Sequence, residues 1–140
     1  MTLPKNRITL ITLAVEDLDR AVDFYLAIGW VLEEKLEHAA FFDMQGAKFG
    51  LYKKSKHAED IDKPFESLGN GAMALAQNFS DEKAVDKAYE EALACGALEC
   101  KRPEKVFWGG YSGTFADPDG HIWEYAFNPF WELDEDGKIK

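Results

Sequence analysis

Cysteine, histidine and basic residues are scarce in this chain, and long apolar runs are missing altogether. The two cysteines, Cys95 and Cys100, are too few for a disulfide framework and have no histidine close by in sequence, so thiol catalysis is the least supported chemistry. Reduced thiols and an N-terminus without a secretory leader pattern fit a cytoplasmic setting. No stretch approaches the ~18 apolar residues of a membrane span, so no integral membrane role is expected. Lys and Arg number 16 against 26 Asp and Glu, a formal charge of −10 that repels phosphate backbones and anionic lipid. Nucleic acid and membrane are therefore not expected partners. The same field favours a cationic ligand or serves solubility alone.

What the chain has in quantity is aromatic and aliphatic surface. Its 140 residues include 10 Phe, 5 Tyr and 4 Trp, more than a small core strictly needs, which leaves some to line a cavity. Length and composition predict one globular core.

The order of local signals repeats. Residues 8–15 are rich in β-branched side chains, Asp17 is placed to cap a helix whose apolar stripe is Leu18, Ala21, Val22 and Tyr25, and Gly29 is placed to end it. Residues 71–77 form a second apolar stretch; Ser80 is the expected cap, Ala84, Val85, Ala88 and Ala92 the stripe, and Gly96 the stop. Leu13-Ala14 matches Leu75-Ala76 at an offset of 62, and the run 20–23 matches 83–86 at 63. Three strand-like stretches follow each helix: 31–36, 39–44 and 49–53, then 97–100, 111–116 and 121–128. Gln45-Gly46 and Asp117-Pro118-Asp119-Gly120 supply the hairpin turns. The predicted fold is α+β: a single domain of two tandem βαβββ modules, about 7–54 and 71–128, joined by a polar connector (55–70) and followed by a tail (129–140). Two such sheets, curved by strand twist, are expected to form a cup lined by the faces away from the helices.

At this point the residues resemble a known family. Val15-Glu16-Asp17-Leu18, Ala21, Phe24-Tyr25 and Gly29-Trp30 resemble the opening, and the run 115–124 the closing hairpin, of vicinal oxygen chelate proteins, the superfamily of glyoxalases, bleomycin-resistance proteins and extradiol dioxygenases. The resemblance implies a divalent metal acting as Lewis acid, held by ligands on the first and fourth strands of each module. Here those positions are Leu10, Ala72, the vicinity of Leu51 with Gly50 and Tyr52 beside it, and Glu124; only Glu124 is a ligand type. A metal site needs three or four donors, so none is expected, and no other cofactor is implied. His38 and His57 lie where the family places no ligand, and His121 falls on the opposite strand face from Glu124, so all three are expected to be structural or superficial.

The expected ligand-binding set is Trp30, Phe41, Tyr52, Trp108, Gly109, Gly110, Tyr111, Phe115 and Glu124, in an aromatic, acidic cup for a small, planar or cationic molecule. Gly109-Gly110 admits close backbone approach of a ligand or a simple bulge. The leading expectation is metal-independent binding or sequestration, like the bleomycin-resistance branch, whose members are dimers; a homodimer is implied by that resemblance. The alternative is a glyoxalase, isomerase or dioxygenase-type enzyme with an unconventional ligand set or with Glu124 as the catalytic acid or base. A third reading, an interaction module, rests on Phe130 and Trp131 in the tail.

Overall fold

The computed structural model describes residues 5–140; the first four, on which the expectation about a leader partly rests, lie outside the described residues. The chain divides into two compact units, the first ending at Leu68 and the second starting at Gly69. Each is a βαβββ module.

In the first, β1 (Leu10–Val15) leads into α1 (Leu18–Ala27), then β2 (Leu32–Lys35), β3 (Ala39–Asp43) and β4 (Lys48–Lys53). The Asp17 carboxylate accepts the Arg20 N–H at 3.0 Å and so satisfies one of the orphan donors of the first turn. At the other end Gly29 takes φ +104°, and the Trp30 N–H reaches back to the Tyr25 carbonyl at 3.0 Å. This left-handed stop brings the residue after the glycine against the helix, and the Trp30 and Tyr25 rings stand 4.8 Å apart. The sheet order is β1-β4-β3-β2, with β1 and β4 parallel and the other pairs antiparallel. Between β3 and β4 both Gln45 and Gly46 have positive φ, the requirement of a two-residue type I′ hairpin turn, closed by Met44 N–H to Ala47 O at 2.8 Å. Leu13, Val15, Phe42, Phe49 and Leu51 point at α1 and are buried with Tyr25.

The second module repeats this arrangement with β5 (Ala74–Asn78), α3 (Glu82–Ala94), β6 (Leu98–Lys105), β7 (Tyr111–Ala116) and β8 (Ile122–Phe127), in the order β5-β8-β7-β6. The cap of α3 is Asp81 rather than the expected Ser80: Asp81 is extended and its carboxylate accepts the Ala84 N–H at 2.8 Å. The helices therefore repeat at 64 residues rather than 63, which pairs Asp17 with Asp81, Ala21 with Val85 and Tyr25 with Tyr89. Tyr89 is fully buried and donates its hydroxyl to the Thr114 carbonyl at 2.8 Å, whereas Ala84 and Ala88, expected on the stripe, are half-buried at its margin. The turn 117–120 is held by Asp117, whose buried carboxylate accepts the N–H groups of Asp119 at 3.0 Å and His121 at 2.9 Å.

Two elements depart from the expected bounds. β6 continues to Lys105, through a polar run with Pro103; as an edge strand it tolerates a residue without a donor. Gly113 lies against that proline, and a Cβ there would come within 2.7 Å of the Pro103 nitrogen. The connector also contains α2 (Lys54–Asp60) and a 3-10 turn, Phe65–Ser67. Among the described residues no helix is long and apolar enough to cross a membrane.

Candidate functional site

Strand alternation gives each sheet one face toward its helix and one away from it. In the first module the far face carries Leu10 and Thr12 from β1, Phe41 from β3, and Gly50 and Tyr52 from β4, and these line a cavity of about 610 Å³. Its remaining wall comes from the β2–β3 turn with Glu37 and His38, and from α2 and its C-terminal cap with His57, Asp60 and Ile61. The last three fall at helical i, i+3 and i+4 spacing, so one face of α2 looks into the cavity.

Most of the wall is apolar, and its polar end is built on one hydrogen bond. The Tyr52 hydroxyl donates to the Asp60 carboxylate at 2.7 Å, tying β4 to α2. The His57 ring stands edge-on to Tyr52, with ring centres 6.0 Å apart. The bond to Asp60 is the main reason the Tyr52 phenol is held above its ordinary pKa of 10.0, with desolvation adding to it. Tyr52 therefore keeps its proton at neutral pH. The floor is shaped by Gly50: a Cβ there would lie 3.2 Å from Phe41 Cε1 and 3.4 Å from Leu10 Cδ1. Phe41, paired directly opposite in β3, leans into the space that a side chain would fill.

Of the expected ligand-binding residues, the structure brings Phe41 and Tyr52 to this cavity. Trp30 stands on the other side of the sheet, 4.9 Å from Phe49 and 5.6 Å from Phe42, because the glycine stop of α1 folds it back onto the helix. Phe115 is buried between Tyr89 and Tyr125, and the Tyr111 hydroxyl donates to Asp86 of α3 at 2.7 Å. These two face α3 because they pair with Trp123 and Phe127, which carry the aromatic face of β8. That bond to Asp86 pushes the Tyr111 phenol up to about 12, and burial does the same to Tyr125. Gly109 and Gly110 are approached by the chain's own rings, Phe130 over the first and Trp108 over the second. Glu124 lies on the far face of β8, half-buried, opposite Thr114 and Ala76; its cross-strand neighbours are small rather than aromatic. Phe130 and Trp131 remain 74% and 54% exposed.

His38 and His57, expected to be structural or superficial, both line the first-module cavity. The signal for His57 was the run 54–60, rich in Lys, Ala and Glu and free of Gly and Pro, which marks a helix.

The residues do not fit the divalent ion that the family resemblance implies. Leu10 and Leu51 have only hydrocarbon side chains, Ala72 carries no donor on its side chain, and Glu124 alone retains a carboxylate. Among the described residues no group of three or more His, Cys, Asp or Glu side chains converges as a metal site.

Sequence and structure comparison agree with this architecture. The Glyoxalase/Bleomycin resistance protein/Dioxygenase superfamily matches residues 7–125, and the chain belongs to that superfamily. A glyoxalase-related enzyme from Fulvimarina pelagi is 32% identical, with a TM-score of 0.90 over 97% of this chain and 98% of its own. A glyoxalase/bleomycin resistance protein/dioxygenase from Nocardioides is 26% identical, with a TM-score of 0.76 over 90% of this chain and 85% of that one. Lactoylglutathione lyase from Agrobacterium tumefaciens shares the fold at 22% identity, with a TM-score of 0.73 over 94% of this chain and all of its own.

Proposed function

We propose that this protein binds a small organic molecule in the first-module cavity without a metal, sequestering it rather than transforming it. The observation that carries this reading is the cavity floor, where β1 and β4, the strands from which the family resemblance implies metal ligands, present Leu10 and Gly50 instead, with the Phe41 ring of β3 beside them. An apolar cavity of about 610 Å³ with one polar end has the size and character of a small-molecule site. Phe41 and Tyr52 are the expected ligand contacts that this reading retains. The test is amide NMR of the labelled protein against a broad panel of small organic fragments, with and without a chelator. Binding should move Leu10, Phe41, Gly50 and Tyr52 alike in both conditions; a panel that leaves all four unmoved removes the reading.

The second reading, an enzyme, is favoured by the description of the Fulvimarina pelagi relative as a glyoxalase-related enzyme. In it Glu124 is the catalytic acid or base. Turnover of a 2-oxoaldehyde or catechol that is lost in Glu124→Gln, with stoichiometric metal in the purified protein, would replace sequestration by catalysis. Both readings place the chain in a reducing cytoplasm, with Cys95 and Cys100 free, and as a homodimer. Light scattering decides the second of these.

A further inference from the structure

Three features of the first-module cavity narrow what it takes. The first is the floor. Because residue 50 has no side chain, Phe41 and Leu10 both close on the space above the β4 backbone, where a Cβ would lie 3.2 Å from one and 3.4 Å from the other, and they give the floor an apolar surface. A puckered ligand touches such a floor at a few atoms, whereas a flat ring touches it with its whole face and gains the offset or edge contacts that aromatic pairs prefer.

The second is the hydrogen-bond inventory of the polar end. Tyr52 has one proton, and it is committed to Asp60. What this pair still offers is lone pairs: those of the phenol oxygen and the remaining ones of the carboxylate. The two imidazoles at the rim donate or accept according to tautomer and leave the preference to the carboxylate. The described residues lining the cavity include two carboxylates, Glu37 and Asp60, and neither lysine nor arginine. This end matches a cationic group that donates N–H bonds and is a poor match for an anion or a bare acceptor.

The third is spacing. Gly50 and Tyr52 are two residues apart on the same face of β4, a separation of about 6.5–7 Å along a strand. One six-membered ring with a directly attached nitrogen-bearing group spans that length.

Resting on the proposed function, the geometry points to a ligand class: a flat aromatic ring bearing a cationic N–H donor, with its face on Phe41 above Gly50 and its N–H groups on the Asp60 carboxylate. Gly50 is then the specificity-determining position, because any side chain there lifts Phe41 into the space the ring occupies. Tyr52 is a positioning residue that holds Asp60 at the end of the cavity.

The experiment uses three probes of similar size with the full chain: benzamidine, flat and cationic; benzonitrile, flat without a donor; and cyclohexanecarboxamidine, cationic but puckered. Affinities are read by amide NMR titration. The wild type should bind benzamidine about tenfold or more tighter than either of the others. Asp60→Asn, which removes the charge from the polar end of the cavity, should abolish the preference for benzamidine over benzonitrile. Gly50→Val should weaken both flat probes about tenfold; circular dichroism checks that it folds, and Phe41→Leu, which keeps an apolar side chain, tests the same floor by removing the ring. A smaller preference for benzamidine in the wild type, or one that survives Asp60→Asn, overturns the assignment. Failure of all three probes also overturns it, and leaves the broader reading to the fragment panel, which contains ligands of other shapes.

Discussion

The two modules share one topology, one capping scheme and one glycine stop, and still present different far faces. The first offers Leu10, Phe41, Gly50 and Tyr52 around a cavity; the second offers Ala76, Thr114 and Glu124 along β5, β7 and β8. The segment after the last strand differs as well. After β4 the chain turns into α2, which walls the cavity with His57 and Asp60. After β8 the tail folds on itself, with Leu133 bridged to Ile139 and Asp134 accepting the N–H groups of Asp136 and Lys138. Aromatic residues follow the same division. The second module spends Tyr89, Phe115, Trp123 and Tyr125 on its helix-facing core, whereas the first has Phe41 and Tyr52 left over for the other side. The sheet is thus a common platform, and its helix-facing side is constrained by packing while the far side is free to diverge.

The strongest way to break the comparison is to hollow each core in turn. Phe42→Ala and Phe115→Ala should each cost about 3–5 kcal/mol, since both rings are fully enclosed. If the modules form one domain, as the sequence predicts, urea denaturation will show one transition that moves in both variants. Two transitions, each variant shifting only its own, would make the modules separate domains.

Alkaline titration should single out the second module. Tyr125 holds its proton up to about pH 12 because it is buried, against an ordinary value of 10.0. The unfolded chain loses that proton first, so stability present below pH 10 is lost as pH rises toward 12. The linkage amounts to about 2–3 kcal/mol. Tyr125→Phe should flatten the fall in melting temperature over that window; an unchanged slope would assign the effect elsewhere.

The two hairpin turns give the smaller effects. Asp117→Ala leaves the N–H groups of Asp119 and His121 without their buried acceptor and should cost about 1–3 kcal/mol by thermal melting. Gln45→Gly relieves a side chain held at φ 54° and should gain about 0.5–1 kcal/mol, the cost in unfolded-state entropy offsetting part of the strain. A gain at Gln45 as large as the loss at Asp117 would mean that the turns are of equal weight, contrary to their burial.

Much of the platform was legible in the chain because local signals are repeated: the cap at Asp17, the stops at Gly29 and Gly96 and the two hairpin turns each have a backbone reason that acts within a few residues. The misplaced cap at Ser80 shows the limit of this. Two adjacent residues, Ser80 and Asp81, are both good caps, and the choice depends on which one lets Val85 and Tyr89 face the sheet together. The site was less legible. Phe41 and Tyr52 could be named, but Trp30, Tyr111 and Phe115 are equally aromatic and differ only in which side of a strand or helix end they occupy. His57 reads as structural or superficial and Asp60 is not singled out, because a short polar helix between modules reads as a connector until the sheet it packs against is known.

The sequence by itself determined the family, the module repeat, the order of elements and the absence of a full ligand set at the positions where the family resemblance places metal donors. Those follow from residue identity and short-range spacing. Tertiary structure decided which aromatic rings became core and which became cavity, and it brought Asp60 to Tyr52 across a strand-to-helix turn. Facing is set by cross-strand register, and a slip of one residue exchanges the two sides of a sheet.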